Sequence, residues 1–118
     1  MNNNINTGRM GEAMAVEYLT DRGYVILETN YRNKIGEVDI IAYDKNILTF
    51  IEVKTRLGVN YGYAFESVDS RKQKKIANAS LMFLQKNKLS DVQVRYDVIE
   101  IYPMEEERIN HFESAFSL

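Results

Sequence analysis

Apolar side chains recur at helical spacing near the start of the chain. Steps of four residues separate the apolar side chains Met10, Met14 and Tyr18. This spacing places them on one face of a helix, with Asn6 or Thr7 as its N-cap and Gly23 as the left-handed residue that ends it. The pattern predicts a first helix that reaches about residue 22, preceded by polar residues 1–6 that we expect to be flexible.

Later segments combine apolar and β-branched residues in short runs that are typical of strands. Residues 71–87, which follow Ser70, instead repeat their apolar positions at helical spacing and predict a second helix. The predicted strands span residues 24–27, 37–43, 47–54 and 92–102, with a last edge strand over Arg108–Phe116. This order predicts an α/β fold with a central mixed β-sheet flanked by α-helices. No internal repeat or linker is visible, so we expect a single domain over residues 1–118.

The two middle strands predict a hairpin, because the turn-forming segment Asp44-Lys45-Asn46 separates them. A loop of even length keeps the apolar faces of both strands together, whereas a three-residue loop would slip the register by one residue. The even loop pairs Tyr43 with Leu48, Ile41 with Phe50, Asp39 with Glu52, and Glu37 with Lys54. Strict alternation of side chains predicts that the opposite face of the first strand carries Val38, Ile40 and Ala42.

Asp39 and Glu52 are the candidate metal ligands. Directly opposed side chains have Cβ atoms roughly 5 Å apart, so two carboxylates there repel each other unless a cation lies between them. Magnesium, or manganese in its place, binds a few carboxylates together with water and substrate phosphate. Lys54 lies roughly 7 Å further along the same face, where an ammonium could hold a phosphate or help to activate water. Glu-x-Lys on a strand is more often a solvated ion pair, but Asp39 at the matched position favours a functional site.

Composition limits the kinds of site and partner that the chain can have. The 118-residue chain has no cysteine, which excludes disulfides and thiolate metal sites. A net charge of −2 and a pI of about 5.4 are unusual for a protein that holds DNA by charge alone, so DNA contact would need a local basic patch or a bound cation. No apolar run is long enough to cross a membrane, and the N-terminus lacks a signal-peptide pattern. We therefore expect a cytoplasmic protein with no membrane partner.

Several segments resemble known proteins. Asp39 and the run Glu52-Val53-Lys54 resemble the nuclease signature written P-D…(D/E)-x-K. Val38 stands where that signature has proline, a position that offers no metal ligand. Over nearly the whole chain, the sequence resembles the YraN-like uncharacterised protein family, through segments 8–15, 30–32, 36–42, 50–56, 96–98 and 111–116.

The YraN-like family is itself similar to the archaeal Holliday-junction resolvases, which have a restriction-endonuclease-like fold. This resemblance implies a magnesium-dependent nuclease that hydrolyses phosphodiester bonds in DNA, with branched, Holliday-junction-like DNA as a candidate substrate. Carried over residue by residue, it implies a catalytic site made of Glu12, Asp39, Glu52 and Lys54. Glu12 also has a simpler interpretation, as a first-turn glutamate stabilised by the helix dipole.

Polar and basic residues near the second helix are candidates for nucleic-acid binding. A helix N-terminus and its basic side chains can both contact phosphate, although such clusters more often only keep a surface solvated. The candidate contacts are Arg56, Lys72, Gln73 and Lys75. Tyr61 and Tyr63 could stack on unpaired bases, whereas the lone His111 is interpreted as structural.

Two other functions fit the same residues. A non-catalytic module on the same fold would bind nucleic acid or a partner protein without cleaving it, and the acidic pI favours a protein that relies on a partner for affinity. An RNA nuclease would use the same carboxylates and lysine. Resolvase-like enzymes act as dimers, so a homodimer is a candidate assembly, but no interface can be identified in the sequence.

Overall fold

A computed structural model of the chain describes residues 3–57, 68–106 and 108–117, and for residues 3–7 the backbone alone. Its elements are α1 (Asn3–Asp21), β1 (Val25–Arg32), β2 (Glu37–Asp44), β3 (Ile47–Thr55), α2 (Ser70–Lys86), β4 (Gln93–Tyr102) and β5 (Arg108–Phe116). The two tyrosines that were candidates for base stacking, Tyr61 and Tyr63, lie outside the described residues. No described helix is both long enough and apolar enough to cross a membrane.

The strands form one five-stranded sheet in the order β1-β2-β3-β4-β5. Strands β1 to β3 are antiparallel neighbours, β3 and β4 are parallel, and β5 is antiparallel to β4. A parallel pair needs a crossover connection, and α2 lies in the connection between β3 and β4. The predicted α/β fold with a mixed sheet is thus confirmed, while the restriction-endonuclease-like relationship stays a prediction.

Each face of the sheet packs against one helix. The α1-side core contains the helix residues Ala15 and Leu19 and the strand residues Ile40, Ala42, Ile51, Ile99 and Ile101. The α2-side core contains the helix residues Ile76, Ala77, Ala79 and Phe83 and the strand residues Val38, Ile41, Leu48, Phe50, Tyr96 and Val98. Because β3 and β4 contribute successive side chains to both cores, they are buried on both faces, as central strands are.

The helix ends agree only in part with the prediction. Helix α1 begins at Asn3, upstream of the predicted caps, because polar residues such as asparagine are only mildly unfavourable inside a helix. Helix α2 begins at Ser70, one residue early, with Asp69 as its N-cap: the carboxylate accepts the N–H of Lys72 at 2.9 Å. The predicted end of α1 is confirmed, since Gly23 adopts a φ of +90°.

The register of the β2–β3 hairpin is as predicted along its paired part. Tyr43 pairs with Leu48 around a two-residue turn, and the ladder continues in the same register to Ile40 and Ile51. The regular pairing ends there, one residue before the predicted pair of carboxylates. The even loop length is therefore confirmed, and the carboxylates lie just beyond the last paired residues.

The predicted orientation of Val38 is wrong. Val38 packs in the α2-side core together with Ile41, whereas Ile40 packs in the α1-side core. The alternation of side chains along β2 therefore breaks at Asp39. Asn30 on β1 lies opposite this break, and it has a left-handed φ of 52°. The sheet thus departs from extended geometry at the position of the candidate aspartate.

A buried charge network ties β5 to the sheet. Asp97 on β4 accepts hydrogen bonds from Arg95 at 2.9 Å and from the N–H of Ser114 at 3.0 Å, and it lies 2.7 Å from Nε2 of His111. Nδ1 of His111 lies 3.1 Å from the hydroxyl of Tyr18 on α1. Although burial raises the pKa of the Asp97 carboxyl, its hydrogen bonds to His111 and Arg95 hold that pKa below its usual value. These contacts agree with a structural role for His111.

Candidate active site

Asp39, Glu52, Lys54 and Lys72 come together where β2 and β3 meet the first turn of α2. Glu52 is only 8% exposed, and its Oε1 lies 3.5 Å from Nζ of Lys72. Strand alternation places Glu52 and Lys54 on the same face as Phe50, which packs in the α2-side core. We call these four charged residues the carboxylate–lysine cluster.

Asp39 occupies the break in β2 and faces β3. Its Oδ2 accepts a hydrogen bond from the backbone N–H of Val53 at 2.8 Å. The carboxylate thus satisfies a backbone donor of β3 beyond the last paired residues. The side chains of Asp39 and Glu52 also lie close enough for the charge of Asp39 to act on Glu52.

The proximity of the two carboxyl groups changes the acidity of Glu52. Burial, together with the negative charge of Asp39, raises the pKa of Glu52 to about 8. The positive charges of Lys72 and Lys54 act in the opposite direction but do not offset the rise. The pair therefore carries less than two negative charges at neutral pH unless another cation approaches.

The two lysines of the cluster shift in opposite directions. Burial and a hydrogen bond with Lys72 lower the pKa of Lys54, although the charge of Glu52 opposes the change. Burial acts to lower the pKa of Lys72 as well, but its hydrogen bonds to Lys54 and Glu52 and its attraction to Glu52 raise it overall. Lys72 thus remains an ammonium, while Lys54 loses its proton more readily than an ordinary lysine.

Glu12 approaches the cluster from α1. A Cβ on Gly11 would collide with the side chain of Thr55, so glycine allows α1 to lie close to the end of β3. Burial and the negative charge of Asp39 raise the pKa of Glu12, while a hydrogen bond to Asn30 opposes the rise. Glu12 therefore lies within electrostatic reach of Asp39.

Asp39 and Glu52 are the residues of the cluster that could hold a cation. Within the part of the chain that the structure describes, no three His, Cys, Asp or Glu residues group closely enough to hold a metal ion. Two carboxylates suit magnesium, which keeps several waters and takes further ligands from a substrate phosphate. A divalent cation would also remove the repulsion that contributes to the raised pKa of Glu52.

The predicted nucleic-acid contacts lie in different environments. Arg56 is only 14% exposed, and its Nε lies 3.8 Å from the carboxylate of the buried Glu100. Gln73 donates a hydrogen bond from Nε2 to the carbonyl of Val68 at 2.7 Å. Lys75 is exposed on the surface of α2. Of these candidates, Lys75 is the one that offers a fully accessible charge.

Some contacts of the site were missed by reasoning from the sequence. Lys72, predicted to contact DNA, also forms an ion pair with the buried glutamate of the cluster. Glu37, predicted to lie opposite Lys54, forms an ion pair with Arg32 at 3.0 Å. Asn30 hydrogen-bonds the helix glutamate. It lies beyond the predicted strand 24–27, in the part of β1 that the sequence pattern did not predict, and asparagine is a residue that tolerates left-handed φ values.

The hydrogen bond to Val53 predicts how substitutions of Asp39 affect stability. Without metal, Asp39→Asn should raise the melting temperature, because it removes one repelling charge and keeps an acceptor for the Val53 N–H. Asp39→Ala leaves that N–H without its partner and should be about 1–3 kcal/mol less stable than the asparagine variant. Thermal unfolding in a chelator measures both. A melting temperature of Asp39→Asn below that of the wild type would show that the carboxylate stabilises the metal-free fold.

The mixed sheet and the carboxylate–lysine cluster define a small α/β protein with a candidate active site at the end of the β2–β3 hairpin. The model of the uncharacterised protein family UPF0102 matches residues 11–101, which include every candidate catalytic residue. The chain belongs to this family, and the resemblance to YraN-like proteins is confirmed.

Relatives from several bacteria match almost the whole chain. A UPF0102 protein of Clostridioides difficile is 47% identical over 114 residues, which cover 97% of this chain and 99% of the relative. One of Caldanaerobacter subterraneus is 43% identical over 113 residues, covering 92% and 93%. One of Acetivibrio thermocellus is 45% identical over 102 residues, covering 86% and 78%. These relatives carry the family name alone, so a functional conclusion has to come from the site.

Proposed function

We propose that this protein is a metal-dependent nuclease that hydrolyses phosphodiester bonds in DNA, including branched DNA. The observation that carries the proposal is the convergence of Asp39 and Glu52 with Lys54. Two carboxylates that repel each other, beside an amine of lowered pKa, are costly for stability and are typical of catalytic sites. The resemblance of the same residues to the P-D…(D/E)-x-K signature supports phosphodiester hydrolysis as the reaction.

A magnesium or manganese ion fits the residues present. Burial and the charge of Asp39 raise the pKa of Glu52. The two lysines of the cluster therefore do not offset the cost of ionising both carboxyl groups. Asp39 and Glu52 would hold the ion, and Glu12, which lies within electrostatic reach of Asp39, would orient a water molecule. When bound, such an ion neutralises phosphate charge and lowers the pKa of a coordinated water.

Lys54 is the residue proposed to move the proton. Burial lowers the pKa of Lys54, and the fraction of its amine that is neutral would accept a proton from the attacking water. The water oxygen forms a bond to phosphorus while the bond from phosphorus to the leaving oxygen breaks, and the leaving oxygen takes a proton from solvent. Lys72, which remains charged, would neutralise negative charge on the phosphate during this step.

A non-catalytic nucleic-acid-binding or protein-binding module is the second candidate. It is favoured by the small number of metal ligands, because the described residues hold no group of three potential metal-binding side chains. Such a module would keep the basic surface of α2 without needing the proton acceptor.

Cleavage assays with the purified protein distinguish these functions. Duplex, single-stranded, flap and four-way DNA, with RNA alongside, are incubated with magnesium, manganese or a chelator. The proposal expects metal-dependent DNA cleavage that is lost in Asp39→Asn and retained in Asp91→Asn, which removes the same charge from an exposed position. A wild-type protein that binds DNA but cleaves none of these substrates would establish the binding module instead, and cleavage of RNA alone would establish an RNA nuclease.

Removing positive charge near the cluster should weaken DNA binding on every sequence. Lys72→Gln and Lys75→Gln should each reduce the slope of log affinity against log salt by about 1, because fewer counterions are released when a phosphate contact is lost. Binding titrations over a range of salt concentrations, in a chelator, measure the slope. Lys86→Gln removes an exposed charge from the far end of α2 and serves as the control. An equal reduction of the slope in this control would mean that DNA binding depends on the total charge of the protein and not on local phosphate contacts.

A further inference from the structure

A groove of about 410 Å³ lies beside the carboxylate–lysine cluster, between the β1–β2 turn and the first turns of α2. Ile35 in the turn forms one side, and Arg71, Lys72 and Lys75 line the helix side. Lys72 belongs to both the groove and the cluster, because its Nζ lies 3.5 Å from the carboxylate of Glu52. A ligand in the groove would therefore lie next to the proposed reaction centre.

The turn that presents Ile35 is fixed by hydrogen bonds to a side chain. Oδ1 of Asn33 accepts the N–H groups of Ile35 at 3.0 Å and Gly36 at 3.2 Å, and its Nδ2 donates to the carbonyl of Ala79 in α2 at 3.2 Å. A Cβ on Gly36 would lie 3.4 Å from the carbonyl oxygen of Lys75, so the turn packs closely on the helix. The backbone that carries Ile35 is therefore held in place, and the Ile35 side chain is 40% exposed.

The charge that the groove offers to a ligand is positive. Its acidic residues already have partners: Glu37 pairs with Arg32 at 3.0 Å, and Asp69 caps α2 through a 2.9 Å hydrogen bond. No described acidic residue forms an ion pair with Arg71 or Lys75. An exposed apolar side chain beside cations complements one nucleotide, which presents the apolar face of a base and a charged phosphate.

Resting on the proposed nuclease function, we infer that this groove binds one unpaired nucleotide next to the scissile phosphate. Ile35 contacts the face of its base, and Arg71 and Lys75 contact its phosphate. The volume is that of a pocket for one small ligand. In a continuous duplex both faces of each base are covered by neighbouring bases, so a base must leave the stack before an apolar side chain can contact it. The groove therefore favours gapped, flapped or single-stranded DNA over continuous duplex.

Binding measured in a chelator tests the groove without any cleavage. The probes are two DNAs that share the same paired sequence. One is a continuous duplex, and the other carries in addition a single unpaired 2-aminopurine nucleotide, whose fluorescence reports contact with its base. The wild type should bind the second DNA more tightly. Ile35→Ala should weaken that binding by about fivefold and leave the duplex unchanged. Leu81→Ala, which removes an apolar side chain that is 48% exposed elsewhere on α2, should change neither.

The outcomes separate the groove from the catalytic site. Ile35→Leu keeps an apolar side chain and should bind like the wild type, and unchanged binding of the duplex by Ile35→Ala excludes a folding defect in that variant. A wild type that binds both DNAs equally, or binds neither, overturns the inference, and so does an Ile35→Ala variant that loses both DNAs equally. Selective binding without magnesium-dependent cleavage would support the groove and remove the proposed nuclease. Magnesium-dependent cleavage without selective binding would support the proposed nuclease and overturn the inference about the groove.

Discussion

Replacing Lys54 with alanine should lower DNA cleavage by about a hundredfold or more, while metal affinity stays nearly unchanged. Lys54 has the lowered pKa of the cluster, so its loss removes the proposed proton acceptor of the transition state and should appear in turnover. Asp39 and Glu52, which would hold the cation, remain in place. Turnover at saturating DNA and calorimetric titration with magnesium or manganese measure the two effects, at a pH where both carboxylates are ionised.

A second substitution separates the amine from the packing of its side chain. Lys54→Met keeps most of the apolar stem, so it should fold like the wild type and lose as much turnover as the alanine variant. Lys86→Met makes the same change at an exposed position and should keep full turnover. If Lys54→Met cleaves DNA at the wild-type rate, the amine has no part in the reaction.

Glu52→Gln should make the metal-free protein more stable above neutral pH and should abolish its stabilisation by metal. The folded-state pKa of Glu52 is raised from 4.5 to about 8, first by burial and then by the charge of Asp39. A raised folded-state pKa contributes stability below the unfolded value of 4.5, and this contribution is lost as the pH rises to about 8. The glutamine variant has no such loss, and its free energy of unfolding should exceed that of the wild type by on the order of 2–4 kcal/mol.

Chemical denaturation in a chelator at several pH values measures this advantage. The difference between Glu52→Gln and the wild type should grow between pH 4.5 and about 8 and then level off. Glu28→Gln removes the same charge from an exposed position of β1 and should show no such growth. Magnesium should stabilise the wild type and not Glu52→Gln. A difference that stays constant over this range would mean that Glu52 titrates as an ordinary glutamate.

The central hairpin shows how far a single sequence can predict this site. The period-two alternation of β3 and the turn at Lys45 and Asn46 were enough to predict the register. That register brings Asp39 and Glu52 together, since both lie within one continuous hairpin. Local patterns predict such contacts well because few conformations connect residues so close along the chain.

Contacts between distant segments could not be predicted in the same way. Val38 departs from alternation opposite Asn30, whose φ is left-handed, and a periodic pattern assumes regular strands. Lys72 reaches Glu52 only because α2 packs over β3. The buried network of Asp97 joins strands and a helix that are far apart in the chain. Each of these contacts depends on tertiary packing, which no local spacing encodes.

The parallel pairing of β3 with β4 determines the order in which the cluster can assemble during folding. Strands β2 and β3 pair across a two-residue turn, whereas β3 pairs with β4 only after the connection that contains α2 has closed. Long-range contacts form more slowly because loop closure costs more entropy. We therefore expect Asp39 and Glu52 to meet early, and Lys72 to reach them only when α2 docks. In the interval two carboxylates face each other without their lysine, and the proposed cation would then assist folding as well as catalysis.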